Sequence, residues 1–178
     1  MGSVKKPESV LLFAGIITLS RNLEKLQEIL LPLGEIEDRT ETLTFDTFSK
    51  YYEKEMGEGL QRLWVTFKGL RSPENLHLIK LESNRIEESH SVHGKRTINI
   101  DPGYISLSNV VLFTTKNYYH RIYIGKGIYA EVTLFYRNLY GFQPFQWTYP
   151  DYKSDAALRF FNTQRQKLYL TRRKEGIE

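Results

Sequence analysis

A short segment in the C-terminal half of the chain places charged and aromatic side chains on both sides of a glycine-rich turn. Arg121 and Tyr123 precede Gly125-Lys126-Gly127, and Tyr129 and Glu131 follow it. Apolar runs joined by three residues that include glycine predict a β-hairpin. Counting from the turn pairs Arg121 with Glu131 and Tyr123 with Tyr129. Arginine can bind a phosphate or carboxylate, glutamate can act as a base, and tyrosines can stack on flat rings.

Alternation along this hairpin predicts one polar, ring-bearing face and one core face. The polar face holds Arg121, Tyr123, Tyr129, Glu131 and Thr133, and the core face holds Ile122, Ile124, Ile128, Ala130, Val132 and Leu134. These residues need not form a functional site. Directly opposed pairs of this kind also stabilise a sheet by about 0.2–1 kcal/mol each.

Asp101 and His120 lie at the ends of predicted strands, where side chains project from a rigid base. Histidine titrates near neutral pH, so His120 could carry a proton. Asp101 is followed by Pro102-Gly103, so it could instead accept backbone hydrogen bonds in a turn. With Glu131, these two residues are the candidate catalytic groups.

Charge and aromatic content rise together toward the C-terminus. Residues 1–115 hold 14 basic and 16 acidic side chains, whereas residues 116–178 hold 11 basic and 5 acidic ones. This combination would suit a nucleotide or single-stranded RNA, because cations bind phosphates and aromatic rings stack on bases. The candidate ligand-binding residues are Lys116, Arg121, Tyr123, Lys126, Tyr129, Trp147 and Asp151.

Asp46, Glu53 and Glu55 are weak candidates for a metal site, since hard cations such as Mg²⁺ prefer oxygen ligands. Their spacing fits no known metal motif, and a solvated acidic helix start explains them more simply. The chain has no cysteine, which excludes disulfides and thiolate chemistry. It also has no G-x-x-x-x-G-K-[ST] loop and no G-x-S-x-G elbow. The sequence does not identify a cofactor.

The elements that position these residues alternate between strands and helices. Val10–Thr18 predicts a central strand, Ser20 caps a helix through Leu30, and residues 35–45 predict an edge strand. Strand 60–70, a helix that begins at Ser72-Pro73-Glu74 and strand 96–101 follow. This order predicts an α+β fold: a ferredoxin-like βαββαβ core, extended by the C-terminal hairpin, an aromatic loop at 140–151 and a final helix capped by Ser154.

The composition is that of a globular chain, with 178 residues and a net charge of +4. We expect one domain over residues 1–178; if the chain divides, the boundary falls near Pro102. The apolar run Val10–Leu19 follows Lys5 and Lys6 but is shorter than the about 20 residues that span a bilayer. No small-residue cleavage site follows it. We therefore expect a cytoplasmic protein that does not associate with membranes.

Several stretches together resemble a family of prokaryotic proteins known as domain of unknown function 4416. The resemblance runs from about Lys6 into the last helix, and it implies one family-wide domain with no assigned activity. Its stretches are Phe45-Asp46 to Tyr51-Tyr52 and Glu55-Met56-Gly57; Asn99 to Tyr104; Thr114-Thr115-Lys116; His120 to Tyr123; Gly127 to Leu134; Gln143-Pro144; and Trp147 to Tyr152.

Three functions stay open from the sequence. The first, which the pattern of charges and rings favours, is a binding module for an anionic ligand, either a nucleotide or single-stranded RNA, on a basic, tyrosine-rich face of the sheet. The second is a hydrolase or phosphoryl-acting enzyme with an Asp/Glu/His/Arg cleft, and the third is a structural or adaptor protein that forms a homodimer. In the first two we expect the polar residues of the resembling stretches to converge on one cleft: Asp46, Asp101, Lys116, His120, Arg121, Glu131 and Asp151.

Overall fold

The computed structural model describes residues 2–174 and 176. Within these residues an α+β fold combines one antiparallel sheet of nine strands with four α-helices and four short 3₁₀ turns. The strands are β1 Val10–Thr18, β2 Ile36–Arg39, β3 Leu43–Thr44, β4 Gln61–Arg71, β5 Ile98–Ile105, β6 Asn109–Thr114, β7 Ile122–Gly125, β8 Ile128–Arg137 and β9 Gly141–Pro144. The helices are α1 Leu26–Leu30, α2 Glu53–Met56, α3 Ile79–Ser89 and α4 Asp155–Lys174.

The strand order across the sheet is β2-β4-β1-β5-β6-β8-β7, with β3 also paired to β4 and β9 to β8. β1 is buried at every position, because its residues are apolar on both faces and both faces are covered. The prediction of a central strand is therefore confirmed. α1 and α3 pack on one face of the sheet, and α4 covers part of the other.

The last helix begins where the sequence predicts. The Ser154 hydroxyl accepts a hydrogen bond from the backbone N–H of Ala157 at 3.3 Å, as an N-cap residue does. Ala157, Phe161 and Leu168 form its buried stripe. The helix packs on Phe13 and Trp64 of the sheet, so α4 covers one end of this face and leaves the other end free to form a cavity.

The sheet divides between β5 and β6. In the described part of the chain β5 pairs with β6 only over Gly103–Ile105, whereas its first half pairs only with β1. α3 satisfies the free edge: Glu87 accepts from the N–H of Ile100 at 2.6 Å, and Lys80 donates to its carbonyl at 2.8 Å. Two charged side chains thus replace a neighbouring strand.

The turn predicted at Pro102-Gly103 is wrong, because β5 continues through both residues. Ile100 directs its N–H and carbonyl away from β1, and alternate residues of a strand share that direction. The missing N–H of Pro102 therefore points to the divided side, where no ladder bond is lost.

Four other local predictions need correction. The helix at Ser20 is a 3₁₀ turn followed by α1, and Ser20 is not its N-cap residue. The edge strand at 35–45 is broken into β2 and β3. The helix at Ser72 becomes regular only at Ile79, and the aromatic loop at 140–151 contains β9, which pairs with β8.

The predicted hairpin forms, with Tyr123 opposite Tyr129 and a bulge that pairs Gly125 with Ile128. Its faces differ from the prediction. Ile122 is 69% exposed, since β7 is an edge strand, whereas Glu131 and Thr133 are fully buried. The segment after β9 covers them, and the Thr148 hydroxyl donates to the carbonyl of Thr133 at 2.6 Å.

None of the helices in the described residues combines the length and the apolar character that a membrane span requires.

Candidate functional site

A cavity of about 430 Å³ lies where β5 and β6 separate, on the part of the sheet that α4 leaves uncovered. We call it the split cavity. Its floor comes from β1, β4, β5, β6 and β8, and α3 closes its base. Its walls are residues 45–52, residues 114–121 and residues 149–152. Cavities of about 300–1,000 Å³ are typical of small-molecule sites.

Arg62 lies on the floor and is 1% exposed, an unusual burial for a charged side chain. Its Nη2 forms an ion pair with Asp151 at 2.8 Å, and its guanidinium lies over the rings of Trp64 and Tyr152. Burial by itself lowers the pKa of Arg62, but the charge of Asp151 raises it above the ordinary value. Arg62 is therefore a fixed, buried cation.

This cation is incompletely satisfied. Within the described residues, Nε and Nη1 of Arg62 and the hydroxyl of Tyr152 form no hydrogen bond. Burial also raises the pKa of Tyr152, so its hydroxyl keeps its proton. A buried donor without a partner costs about 1–3 kcal/mol. Such groups call for an explanation, and at a cavity they are candidate contacts for a ligand.

Gly15 makes room for this arrangement. A Cβ atom at Gly15 would lie 2.6 Å from the Tyr152 hydroxyl and 2.9 Å from Nη1 and Nη2 of Arg62. Asp101 lies directly opposite Gly15 on β5. The absent side chain thus allows an arginine, a tyrosine and an aspartate to meet above the centre of the sheet.

A second group of polar side chains surrounds Glu131. Its Oε2 accepts from Nε of Arg121 at 2.8 Å and contacts Nε2 of His120 at 3.1 Å, and its Oε1 accepts from Thr133. The His120 ring stacks on Trp147. Burial by itself lowers the pKa of Arg121, but its bond to Glu131 raises it overall, so Arg121 stays cationic.

Hydrogen bonds connect Arg121 to residues at the mouth of the cavity. Arg121 donates to the carbonyl of Lys116 at 3.0 Å and to the hydroxyl of Tyr149 at 3.0 Å. The ammonium of Lys116 lies over the ring of Tyr51, 5.0 Å from its centre. Lys116 is exposed and, within residues 2–174, has no carboxylate within 4.0 Å.

The aromatic wall at residues 45–52 is held to the sheet by Arg96. This guanidinium binds both carboxylate oxygens of Glu55, at 2.6 and 2.8 Å, and it also contacts Glu87 at 3.1 Å. The bond from Arg96 keeps the pKa of Glu55 below its ordinary value. Burial, by contrast, raises the pKa of Glu87.

The lowered pKa of Glu55 leads to a pH-dependent prediction. A carboxylate whose pKa is lower in the folded state stabilises the fold above its unfolded pKa, here 4.5. That contribution is lost as the pH falls through the folded pKa. We expect Glu55→Gln to lower the free energy of unfolding at pH 7 by about 1 kcal/mol or less, and to have a smaller effect at about pH 3.

Urea unfolding at the two pH values checks this, with Glu53→Gln as the matched control. Glu53 begins the same helix but forms no ion pair among the described residues. An equal loss for Glu55→Gln at both pH values would contradict the assignment.

The structure brings five of the predicted site residues to the split cavity: Asp101, Lys116, Arg121, Glu131 and Asp151. His120 lies behind Glu131, and Trp147 lies behind His120. Tyr123, Lys126 and Tyr129 lie farther along the hairpin and are not among the residues that line the cavity. Asp46 also lies outside it, where it accepts a hydrogen bond from the N–H of Gly59 at 2.9 Å.

The three weak metal candidates do not meet at one point. Glu55 pairs with Arg96, while Asp46 bonds to Gly59. Among the residues that the structure describes, no group of three or more His, Asp and Glu side chains is arranged to hold a metal ion.

Sequence reasoning missed the residues at the centre of the cavity. Arg62 lies on its floor and Tyr152 on a wall, Lys80 and Glu87 of α3 close its base, and Arg96 also lines it. The sequence contains one signal for Arg62. In the predicted strand 60–70 this residue shares a face with Trp64 and Thr66, neither of which is charged. A charge at an inward position of a central strand indicates a site or a buried ion pair.

Comparison with known proteins gives one match. Neither the curated proteins nor the solved structures contain a match to the chain. The family model described as Domain of unknown function (DUF4416) matches residues 8–168, which include every residue of the split cavity named above. The chain therefore belongs to this family.

Proposed function

We propose that the chain binds a small anionic molecule, of about the size of a nucleoside monophosphate, in the split cavity. The observation that carries this proposal is Arg62, a fully buried cation on the cavity floor with two unpartnered nitrogen atoms. The charge of Arg62 would attract an anionic group to the floor of the cavity. A charge-assisted hydrogen bond to a nitrogen atom that the group reaches contributes about 1.5–3 kcal/mol.

Two further cations line the cavity and support the same ligand class: Lys116 is exposed at the mouth, and the side chain of Arg121 is buried beside Glu131. Arg121 is held by bonds from Nε to Glu131, from Nη1 to the carbonyl of Lys116 and from Nη2 to Tyr149, so the remaining N–H of each Nη atom is preorganised. Lys116 has no carboxylate partner within the described residues, and its charge is available to an incoming anion. Preorganised donors bind phosphates and carboxylates without a large cost of reorganisation.

Aromatic side chains supply flat surfaces on all three walls of the cavity. Tyr51 and Tyr52 belong to one wall, and Tyr118 and Tyr149 belong to the others. Stacking between a base and an aromatic side chain contributes about 1–3 kcal/mol. A ligand that joins an anionic group to a flat ring therefore fits this lining better than an anion alone.

The enclosed shape favours a small ligand over single-stranded RNA. RNA-binding sheets stack successive bases on exposed rings along an open surface. Here the cations face a cavity of about 430 Å³, whereas the Tyr123–Tyr129 pair lies outside it. Single-stranded RNA would therefore be the ligand only if it bound along the hairpin and not in the cavity.

Replacement of Lys116 gives a direct test. We expect Lys116→Ala to weaken binding of adenosine 5′-monophosphate about tenfold, because a charge-assisted contact is lost. Lys126→Ala removes an exposed lysine with the same charge outside the cavity, and we expect it to leave the affinity unchanged. Isothermal titration calorimetry at two salt concentrations measures both effects.

Added salt should weaken binding to the wild type more than binding to Lys116→Ala, because an exposed charge is screened. Equal losses for Lys116→Ala and Lys126→Ala would contradict the cavity as the binding site. Absence of binding to the wild type for adenosine, guanosine, cytidine and uridine monophosphates would contradict the proposed function.

Glu131 favours one alternative function, a hydrolase or phosphoryl-acting enzyme. Glu131 and Asp101 line the same cavity as Arg121, and Glu131 contacts His120, which suits a base, a proton carrier and a charge stabiliser. Full retention of any hydrolytic activity in Glu131→Gln and Asp101→Asn would contradict this role.

The cytoplasmic location and the homodimer stay predictions from the sequence.

We also infer that the first half of the chain is a ferredoxin-like unit that positions the cavity. α1 connects β1 to β2, and β4 lies between those two strands; α3 connects β4 to β5, and β1 lies between them. Two helices that each join strands separated by a third are the mark of a split βαβ arrangement.

A further inference from the structure

Asp101 is the most open carboxylate of the split cavity. Its side chain is 35% exposed, whereas those of Glu87, Glu131 and Asp151 are 8% exposed or less. Its Oδ2 accepts a hydrogen bond from the Asn99 amide at 2.8 Å. Its Oδ1 lies 3.8 Å from the ammonium of Lys80, beyond hydrogen-bond distance, and accepts no hydrogen bond from any described residue.

The other buried carboxylates have their roles within the protein. Both oxygens of Glu87 accept bonds, from Ile100 and Arg96, and both oxygens of Glu131 also accept bonds. Asp101 therefore supplies the acceptor that a ligand can reach. A free carboxylate oxygen repels the anionic end of a ligand, but it binds hydroxyl or amino groups strongly.

Asn84 adds a second open polar group. It lies one turn after Lys80 on α3 and lines the same cavity. Its side-chain amide forms no hydrogen bond with any described residue. An amide supplies both donors and an acceptor, so Asn84 and Asp101 together suit a group with several hydroxyls.

Resting on the proposed anion site, we propose that the ligand carries free sugar hydroxyls, which donate to Asp101 and contact Asn84 while its phosphate meets the cations. The substrate class is thus a sugar phosphate or nucleoside monophosphate with a vicinal diol, rather than a bare anion. Carboxylates of dinucleotide-binding folds recognise ribose hydroxyls by the same chemistry.

The test uses three probes on the full chain: inorganic phosphate, adenosine 5′-monophosphate and its 2′,3′-dideoxy analogue. We expect the wild type to bind adenosine 5′-monophosphate about tenfold more tightly than the dideoxy analogue, since unpaired site groups penalise an analogue that lacks its hydroxyls. Asp101→Asn should weaken adenosine 5′-monophosphate about tenfold and remove most of the difference between the two nucleotides. It should tighten inorganic phosphate, because a repelling charge is gone.

Asp46→Asn is the matched control, because it removes an equal charge near the same wall but outside the cavity. We expect it to leave all three affinities unchanged. Thermal unfolding of both variants shows whether the fold persists. The amide oxygen introduced by Asp101→Asn can still accept the hydrogen bond from Asn99, so we expect this variant to fold.

The outcomes separate this inference from the proposed function. Equal affinity of the wild type for both nucleotides, or tighter binding of all three probes by Asp101→Asn, would overturn the role of Asp101 and leave the anion site intact. No binding of any probe to the wild type would overturn the anion site as well.

Discussion

Arg62→Met is expected to lower the free energy of unfolding by about 3–5 kcal/mol, because it leaves Asp151 buried without its counter-charge. Asp151 is nearly as buried as Arg62, and the two side chains form an ion pair at 2.8 Å. Removal of one member of a buried pair costs far more than the net stabilisation that the pair provides. Urea unfolding measures this loss.

Arg85→Met is the control for this prediction. Arg85 also forms an ion pair at 3.0 Å, with Glu82, but its side chain is 75% exposed. We expect a change of about 0.5 kcal/mol or less for this variant. The double variant Arg62→Met, Asp151→Leu should be more stable than Arg62→Met alone, since no unpaired charge remains. Equal effects for Arg62→Met and Arg85→Met would contradict a buried ion pair.

The second large effect is expected at Gly103, where β5 and β6 still pair. A Cβ atom there would lie 2.1 Å from the carbonyl oxygen of Val111 and 2.8 Å from the Phe13 ring. Backbone of a paired strand cannot move away without breaking the ladder, so Gly103→Ala should cost about 3 kcal/mol. We also expect faster amide exchange in β5 and β6, because the point where the sheet divides would move toward Ile105.

Gly2→Ala is the control for Gly103→Ala, since no atom lies within 4 Å of the Cβ position at Gly2. Urea unfolding and hydrogen exchange measure the two effects. An unchanged stability of Gly103→Ala would show that β5 and β6 do not approach each other as described.

The parts of the fold that depend on local patterns were predictable from the sequence. The apolar run Val10–Thr18 predicts a strand buried on both faces, and Ser154 predicts the start of α4. The hairpin register follows from its glycines, so Arg121 and Glu131 could be paired by counting alone. The hydrogen bond from Arg121 to Glu131 confirms that the two side chains meet, although it does not test their function.

The centre of the site depends on contacts between residues far apart in the chain. Arg62 needs Asp151 from the segment after β9, and the free edge of β5 needs Lys80 and Glu87 from α3. No local sequence pattern indicates where two neighbouring strands of a sheet separate. Pro102 therefore predicts a turn, although it lies on an unpaired strand edge. The same reason explains why Ile122 was assigned to the core: alternation gives the face of a residue but not what covers that face.

Titration of the ¹⁵N-labelled chain with adenosine 5′-monophosphate, followed by two-dimensional NMR, tests the central claim most directly. The account predicts that the backbone amide shifts concentrate in β5 from Ile98 to Asp101, in residues 114–121 and in residues 149–152. Small or no shifts are expected at the hairpin turn around Lys126. Shifts concentrated at Tyr123 and Tyr129, or no shifts at millimolar nucleotide, would contradict the split cavity as the binding site.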